Sequence, residues 1–281
     1  MKKVIAFVGT ARKKLTHYAA CQLLDNLRSL GEVETEIIAL SSHRLGTCRG
    51  CKVCFEKGEE FCPLKDDRDV LIEKMMAADG TIIATPNYSF QVSAYTKIFL
   101  DRLGFVFHRP CFFGKTFTSI VAQGIYGGGK IVKYLDFVGN GLGFTTVKGS
   151  CVTALEPMTE AEKQKIDKTL EEQSKRFYES LLTPAFPAPT LLKLGGFRMG
   201  RTSIRLMLDD TSRDYRYYQE KGWFQSDYFY PTHLSALQKA AGSFFDSMAR
   251  RRANNRKSQR AVSLQCPSVQ RTAREFASNI K

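Results

Sequence analysis

Short apolar segments alternate with segments of helical periodicity from residue 4 to residue 182, and no other feature of the sequence constrains the fold as strongly. The first segment, residues 4–8, is continuously apolar and ends in a turn, which is typical of a strand buried on both faces. Further strands are predicted at residues 33–40, 81–84, 117–122 and 146–155. Helices are predicted at residues 20–30, 69–76, 93–103, 131–138 and 160–182. This order predicts an α/β fold of three layers, α/β/α, with a five-stranded parallel sheet between helices.

The alternation ends at residue 184, where Pro184, Pro187 and Pro189 form a linker. An amphipathic basic segment, a dense aromatic block and one more helical pattern follow, at residues 191–208, 215–230 and 234–248. Apolar periodicity is lost beyond them. We therefore predict three parts: a ligand-binding α/β domain at 1–183, a mostly helical and aromatic extension at 184–249, and a basic, flexible tail at 250–281.

Ligands of parallel sheets bind at the carboxyl ends of the strands, near the point where the strand order reverses. The loop after the first strand carries Gly9, Thr10 and Arg12, and a helix with Thr16 and His17 begins there. Helix N-terminal N–H groups bind phosphate, and hydroxyls and an arginine add donors. Because the G-x-G-x-x-G fingerprint is absent, the loop favours a terminal monophosphate over a dinucleotide. A solvated basic loop is the alternative.

The loop after the third strand reads Thr85, Pro86, Asn87, Tyr88 and Ser89. A flat heteroaromatic ring needs an aromatic or apolar wall and a few polar groups at its edge, and this loop has both. A turn that uses proline and asparagine for backbone reasons is the alternative.

The loop after the fourth strand contains Gln123, Gly124, Tyr126 and Gly127. Residues 124–130 match G-x-x-x-x-G-K, the start of a triphosphate-binding loop. The next residue is Ile131, so the hydroxyl that would bind Mg²⁺ is missing, and a nucleoside triphosphatase is disfavoured. We favour a loop whose backbone N–H groups approach the edge of a ring closely.

Four of the eight cysteines lie in one segment, residues 48–62. Cys48, Cys51 and Cys54 have the spacing C-x2-C-x2-C, and Cys62 precedes a proline. Three thiols at this pitch, with a fourth from the end of the loop, suit a cuboidal iron–sulfur cluster. A structural zinc site usually draws two C-x-x-C pairs from separate places, and unligated thiols are a further alternative.

The other four cysteines, Cys21, Cys111, Cys151 and Cys266, have no such spacing, and the first three fit core positions. The apolar run at the start of the sequence is too short for a signal peptide, and no segment is long and apolar enough to span a membrane. We therefore expect a cytoplasmic protein, in which structural disulfides are disfavoured.

The formal net charge of +14 is concentrated near the end of the sequence. Residues 250–281 contain nine Lys or Arg and one acid, Glu275, which is +8 of that total. The run that includes Arg250, Arg256 and Arg260 suits phosphates or lipid headgroups. Because no aromatic residues are interleaved with these cations, a solvated tail is favoured, and both nucleic acid and a membrane surface are disfavoured as partners.

Taken together, the motifs resemble the flavodoxin-like NAD(P)H-dependent FMN reductases over residues 1–180, and the cysteine loop resembles their iron–sulfur flavoprotein branch. The residues that carry the resemblance are Gly9–Lys14, the four cysteines, Lys65–Asp67, Thr85–Tyr88, Val92–Ala94, Lys97, Asp101 and Arg102. The resemblance implies a five-stranded parallel sheet, FMN held by the three loops above, and a homodimer or homotetramer with the flavin near an interface. It also implies that Cys48, Cys51, Cys54 and Cys62 hold a [4Fe-4S] cluster.

The function implied is an oxidoreductase that passes electrons from NAD(P)H through FMN to a small-molecule or protein acceptor. Thr10, Arg12, Thr16 and His17 would hold the phosphate, the loop after the third strand would line the ring, and the loop after the fourth strand would donate to its edge; no catalytic side chain is named. One alternative is an electron carrier that a ferredoxin-type partner reduces, for which a basic surface would suit an acidic partner. Another is a nucleic-acid or membrane-surface binder that acts through the basic tail.

Overall fold

A parallel sheet forms from the apolar segments of the first half of the chain. We describe it from a computed structural model that covers residues 1–183 and 186–265, with side chains as far as residue 259. The strands are β1 (Lys2–Val8), β2 (Val33–Ala39), β3 (Gly80–Pro86), β4 (Thr116–Gln123), β5 (Thr145–Thr146) and β6 (Ser150–Thr153). Their order is β2-β1-β3-β4-β5, β6 also pairs with β4, and every pairing is parallel. This is the flavodoxin-like order, so the predicted fold class is confirmed.

The last strand position is occupied by two short strands in succession. Thr145 and Thr146 pair with the start of β4, and β6 pairs with its end. Gly149 lies between them and passes close to β4, because a Cβ at this position would lie 2.1 Å from Oγ of Ser119. The single strand predicted at residues 146–155 is therefore interrupted, and five strand positions contain six strands.

The helices of the described residues complete the layers on both sides of the sheet. They are α1 (Leu15–Leu30), α2 (Val53–Glu56), α3 (Arg68–Ala77), α4 (Ala94–Arg102), α5 (Gly128–Leu142), α6 (Glu160–Leu182), α7 (Leu191–Met207), α8 (Arg213–Glu220) and α9 (Ala236–Gln265). Side chains of a strand alternate between faces, so Val4 and Ala6 join the core beneath α1 and α6. Phe7 points to the other face, where its ring packs on Phe99 of α4 at 5.0 Å.

The chain divides into two compact units, one of residues 1–54 and 59–186 and one of residues 55–58 and 187–281. In the second unit, the ring of Phe197 on α7 contacts those of Trp223, Tyr228 and Phe229, so the aromatic block forms a core of its own. The division predicted at residues 183 and 249 stays a prediction. The helix α9 is continuous across residue 249. Cys266 and the rest of the sequence to Lys281 lie outside the described residues. Pro184 and the side chain of Arg260 also lie outside them.

Within the part of the chain that is described, no helix is both long enough and apolar enough to cross a lipid bilayer.

Two glycines of α5 allow the packing against the sheet to be tested. A Cβ on Gly139 would lie 2.4 Å from Cδ1 of the buried Phe117 ring. We expect Gly139→Ala to lower the free energy of unfolding by about 1–3 kcal/mol because the ring and the helix must move apart. No described atom lies within 4 Å of a Cβ on Gly129. We expect Gly129→Ala to raise the free energy of unfolding by about 0.5–1 kcal/mol because it restricts the unfolded chain.

Urea denaturation of both variants measures these two changes. A similar loss of stability in both would show that α5 tolerates no added methyl group anywhere, and would contradict the packing described here.

Candidate functional site

The loops after β1, β3 and β4 meet at one edge of the sheet, around a cleft of about 610 Å³. Parallel pairing of β1 with β3 and of β3 with β4 brings the carboxyl ends of these strands together. The cleft is lined by residues 10, 12–16, 18, 86–88, 122–124 and 154–158. Its volume is in the range of sites for small molecules and cofactors.

The first loop is fixed to the sheet at Gly9. The N–H of Gly9 donates to the carbonyl of Ala84 at 2.8 Å, and its carbonyl accepts from the Ser93 hydroxyl at 2.6 Å. A Cβ at this position would lie 1.9 Å from Oγ1 of Thr96. Glycine is therefore required for the loop to pass this close to α4, and Gly9 shapes the cleft without lining it.

The N-terminus of α1 opens into the cleft without a capping side chain. Lys14 is the N-cap residue and makes no side-chain capping hydrogen bond, and the first turn contains no acid. Thr10, Arg12 and Thr16 line the cleft around it. Unpaired N–H groups at a helix N-terminus attract anions, so this end of the cleft suits a phosphate. A hydrogen bond with Tyr88 raises the pKa of the Arg12 guanidinium, which stays charged.

The loop after β3 rests on a buried layer of hydroxyl groups. Oγ1 of Thr85 accepts from the N–H of Ser93 and from the hydroxyl of Thr96, both at 3.1 Å, and donates to the carbonyl of Pro86 at 3.2 Å. The Ser93 hydroxyl caps α4 by accepting from the N–H of Thr96. Thr85, which the sequence places among the candidate binding residues, thus lies beneath the loop, whereas Pro86, Asn87 and Tyr88 line the cleft.

Asn87 and Gln123 connect the second loop to the third. Nδ2 of Asn87 donates to the carbonyl of Tyr126 at 3.0 Å and to Oε1 of Gln123 at 3.4 Å. Oε1 of Gln123 also accepts from the N–H of Gly128 at 2.6 Å, so this N–H does not face a ligand. Oδ1 of Asn87 is buried and has no hydrogen-bond partner among the described residues. It is an acceptor suited to an N–H group of a ligand.

Four other candidate residues lie near the cleft without lining it. Nδ1 of His17 lies 3.4 Å from Sγ of Cys21, one turn further along α1. Ser89 and Gly127 have φ angles of 50° and 95°, so they form the turns of their loops. The ring of Tyr126 is exposed and packs on that of Phe90 at 5.4 Å. Thr10, Arg12, Thr16, Pro86, Asn87, Tyr88, Gln123 and Gly124 are brought together in the cleft.

The sequence analysis missed the loop after β6, residues 154–158, which forms another wall of the cleft. Its Glu156 carboxylate lies 3.4 Å from Nζ of Lys14, so an ion pair joins it to the first loop. Tyr18 was also missed; its hydroxyl donates to Asp167 on α6. The sequence could have indicated the loop after β6, because this loop also follows the carboxyl end of a parallel strand.

The cysteine loop is open, and its four thiols differ in burial. Cys48 and Cys51 are exposed, Cys54 is partly exposed and Cys62 is buried. Gly50 and Lys52 have φ angles of 65° and 61°, so the chain turns sharply between these cysteines. Burial raises the pKa of the Cys54 thiol, and the charges of Cys48 and Cys62 raise it further against the opposing effect of Arg109.

Three buried arginines hold the two ends of this loop. Nη1 of Arg102 donates to Sγ of Cys62 at 3.3 Å, and its Nη2 pairs with Asp66 at 2.9 Å. Arg109 donates to the carbonyl of Cys54 at 3.1 and 3.0 Å and pairs with Glu59 at 2.7 Å. Arg68 donates to the carbonyl of Glu59 at 2.8 Å. The spacing of the cysteines contains no signal for this support, because all three arginines lie outside residues 48–62.

The arginines change the chemistry of Cys62. Burial raises the pKa of its thiol, but the hydrogen bond from Arg102, one from the Leu64 backbone, and the charges of Arg102 and Arg68 together outweigh burial and lower the pKa. The thiolate form that metals bind is thereby favoured.

The thiols of the cysteine loop are spread apart. Nowhere in residues 1–183 and 186–265 do three His, Cys, Asp or Glu side chains lie close enough together to hold a metal ion. The donor set, four thiols beside cationic side chains, has the chemistry of an iron–sulfur ligand set. The donors therefore fit such a cluster in their chemistry, although their sulfur atoms are not gathered around one point.

Curated relatives match part of this chain. An iron-sulfur flavoprotein of Methanocaldococcus jannaschii is 39% identical over 101 residues, 36% of this chain and 51% of that one. An iron-sulfur flavoprotein of Archaeoglobus fulgidus is 36% identical over 123 residues, 42% of this chain and 53% of that one. The chain thus spans about half the length of the curated relatives it matches.

Solved structures with the same fold are more distant in sequence. RosB, crystallised with bound 8-demethyl-8-formylriboflavin-5'-phosphate, aligns with a TM-score of 0.52 at 14% identity, over 84% of this chain and 92% of that chain. A flavone reductase aligns with a TM-score of 0.50 at 14% identity, over 64% of this chain and 62% of the other. At these identities the likeness concerns the fold alone.

The family model of the NADPH-dependent FMN reductases matches residues 2–156, which is more than half of the chain. This chain therefore belongs to the NADPH-dependent FMN reductase family.

Proposed function

We propose that this chain is an FMN-dependent oxidoreductase that takes electrons from NAD(P)H and passes them to a small-molecule or protein acceptor. The observation that carries the proposal is the cleft at the ends of β1, β3 and β4. In this cleft the uncapped N-terminus of α1 lies at one end, and the unpartnered Oδ1 of Asn87 lies in the second loop.

The first loop would bind the phosphate of FMN. The free N–H groups of α1 and the hydroxyls of Thr10 and Thr16 would donate to its oxygens, and Arg12 would neutralise its charge. Lys13 and Lys14 also line the cleft and add positive potential. Tyr88 raises the pKa of the Arg12 guanidinium, which therefore carries its charge at the cleft.

The second loop would bind the ring. Pro86 and Tyr88 provide apolar and aromatic surface in the cleft, and Oδ1 of Asn87 would accept from an N–H of the ring edge. Gln123 and Gly127 also shape the third loop. Oε1 of Gln123 holds the N–H of Gly128, and a Cβ on Gly127 would meet the Phe90 ring at 2.6 Å.

Bound FMN would supply the chemistry, which is acceptance of a hydride and release of electrons singly or in pairs. The residues of the chain would bind the phosphate, orient the ring and leave one face open to NAD(P)H. We assign no acid or base to a side chain, because none is required for hydride transfer to a flavin.

We further propose that Cys48, Cys51, Cys54 and Cys62 hold a [4Fe-4S] cluster, which would supply one-electron transfer. Two arginines support this proposal. Arg109 holds the cysteine loop at Cys54 and Arg102 holds it at Cys62, and both place positive charge beside thiolate ligands. Zinc or free thiols would contradict it. A homodimer or homotetramer and a cytoplasmic location remain predictions.

The phosphate site is tested with FMN and riboflavin, which differ only in the phosphate. We expect Arg12→Gln to weaken FMN binding by roughly 10- to 100-fold, the value of a charge-assisted hydrogen bond, and to leave riboflavin binding unchanged. Fluorescence titration of the apoprotein measures both affinities. Arg176→Gln, a matched change at an exposed arginine of α6, should alter neither. An equal loss for both ligands, or no loss for FMN, would place the phosphate elsewhere.

The electron donor is tested by anaerobic mixing of the FMN-loaded chain with NADH or NADPH. We expect at least one of them to bleach the absorbance of the oxidised flavin, because a bound flavin accepts a hydride from a reduced nicotinamide. A flavin that stays oxidised with both nucleotides, and is reduced by a ferredoxin, would identify an electron carrier and refute the NAD(P)H dependence.

The cysteine loop is tested by anaerobic reconstitution with iron and sulfide. We expect about four iron and four sulfide per chain for the unaltered protein. Replacement of Cys48, Cys51 or Cys62 by serine should lower both contents severely, because serine is a poor ligand for iron in such clusters. Cys21→Ser is the control and should keep the full content, since Cys21 lies on α1 beside His17. Zinc without sulfide would establish a zinc site instead.

A further inference from the structure

The helix α9 is anchored in the second unit by one of its faces. The carboxylate of Asp246 accepts from Nε of Arg198 at 2.9 Å, from Nη2 of Arg201 at 2.8 Å and from the hydroxyl of Thr202 at 2.6 Å. All three donors belong to α7. Ala249 and Ala253 follow Asp246 at helical spacing and are buried. These contacts fix the rotation of α9 about its own axis.

The opposite face of α9 carries an exposed apolar stripe. Leu237, Phe244 and Met248 are 72%, 62% and 38% exposed. Each residue of a helix adds about 100°, so their spacings of seven and four place them within about 40° of one another, on the side away from Asp246. We call these three residues the apolar stripe of α9.

The stripe continues beyond the helix itself. Nε2 of Gln238 donates to the carbonyl of Pro189 at 2.9 Å, which places the start of α7 beside the start of α9. Leu192, in the first turn of α7, is 84% exposed. The end of the second unit that contains the first turns of α7 and α9 therefore exposes several large apolar side chains.

Positive charge follows the stripe along α9. Arg250, Arg251, Arg252, Arg256 and Lys257 are all exposed. The sequence contains no acid between Asp246 and Glu275 that could neutralise them. At about 100° per residue, Arg251 and Arg252 lie on either side of the line of the stripe, one turn beyond Met248. Apolar side chains and cations thus share one exposed side of the helix.

We propose that this side of α9 binds an anionic lipid surface. Leu237, Phe244 and Met248 would enter the boundary between headgroups and acyl chains, while Arg251 and Arg252 would contact the phosphates. A second copy of the chain fits less well, because it would bring like charges together. Nucleic acid would use the cations and leave the apolar stripe in water. The sequence alone disfavoured a membrane surface, because no aromatic residues are interleaved with the cations from residue 250 onward.

Vesicle co-sedimentation of the full chain tests the proposal. We expect binding to vesicles of equal parts phosphatidylserine and phosphatidylcholine, little binding to phosphatidylcholine alone, and loss of binding as salt is raised. The double variant Leu237→Ser/Phe244→Ser should bind the anionic vesicles at least about tenfold more weakly, because less apolar surface leaves water. Arg251→Gln/Arg252→Gln should also bind more weakly and respond less to salt.

Phe137→Ser is the matched control, since Phe137 is an equally exposed apolar residue on α5 in the other unit. It should bind as the unaltered chain does. All substituted side chains are exposed, and circular dichroism verifies that each variant is folded.

Four results would overturn the proposal. One is no binding to the anionic vesicles, and another is binding that the two double variants do not weaken. The third is binding of duplex DNA, in the absence of vesicle binding, that depends on Arg251 and Arg252 and not on the apolar stripe. A dimer that Leu237→Ser/Phe244→Ser dissociates, again without lipid binding, would identify a second copy as the occupant.

Discussion

Pairing of β1 with β3 fixes the distance between the two loops that form most of the candidate site. Val8 lies opposite Ala84 in this pairing, and the hydrogen bond from Gly9 to the Ala84 carbonyl extends it by one residue into the loop. The Ser93 hydroxyl then binds the Gly9 carbonyl from the start of α4. The loops after β1 and β3 are thus held by one continuous set of backbone and hydroxyl contacts.

The strand pattern was predictable because buried parallel strands and amphipathic helices have different periods, and every predicted strand position is present. The roles of individual loop residues were less predictable. Thr85 and Gln123 are polar residues in the expected loops, yet both use their side chains to hold backbone. Glu156 lies in the cleft although no motif contains it. Periodicity reports which segment is a strand or a loop, whereas the direction of a polar side chain depends on neighbours that are distant in sequence.

In the cysteine loop, too, the sequence predicts the candidate ligands but not the side chains that hold them in place. Its spacing predicts a thiol ligand set, but the spacing contains no information about Arg68, Arg102 and Arg109. The guanidinium groups of Arg68 and Arg109 both lie over the ring of Phe105, at 5.5 and 5.3 Å. A single aromatic side chain therefore positions two of the three cations that hold the loop. The positive charge beside the thiols therefore comes from arginines outside the cysteine loop, and two of them lie in residues 102–109.

The ion pairs of Asp246 have a comparable effect in the second unit. A buried carboxylate without partners is costly, so Asp246 must stay against Arg198 and Arg201. This requirement sets the rotation of α9, and the rotation decides which side chains of residues 237–259 face outward. The outward side then contains Leu237, Phe244 and Met248 with Arg251 and Arg252. Net charge alone describes residues 250–281 as a basic tail, whereas the buried ion pairs give its first ten residues an orientation, and with it a defined exposed surface.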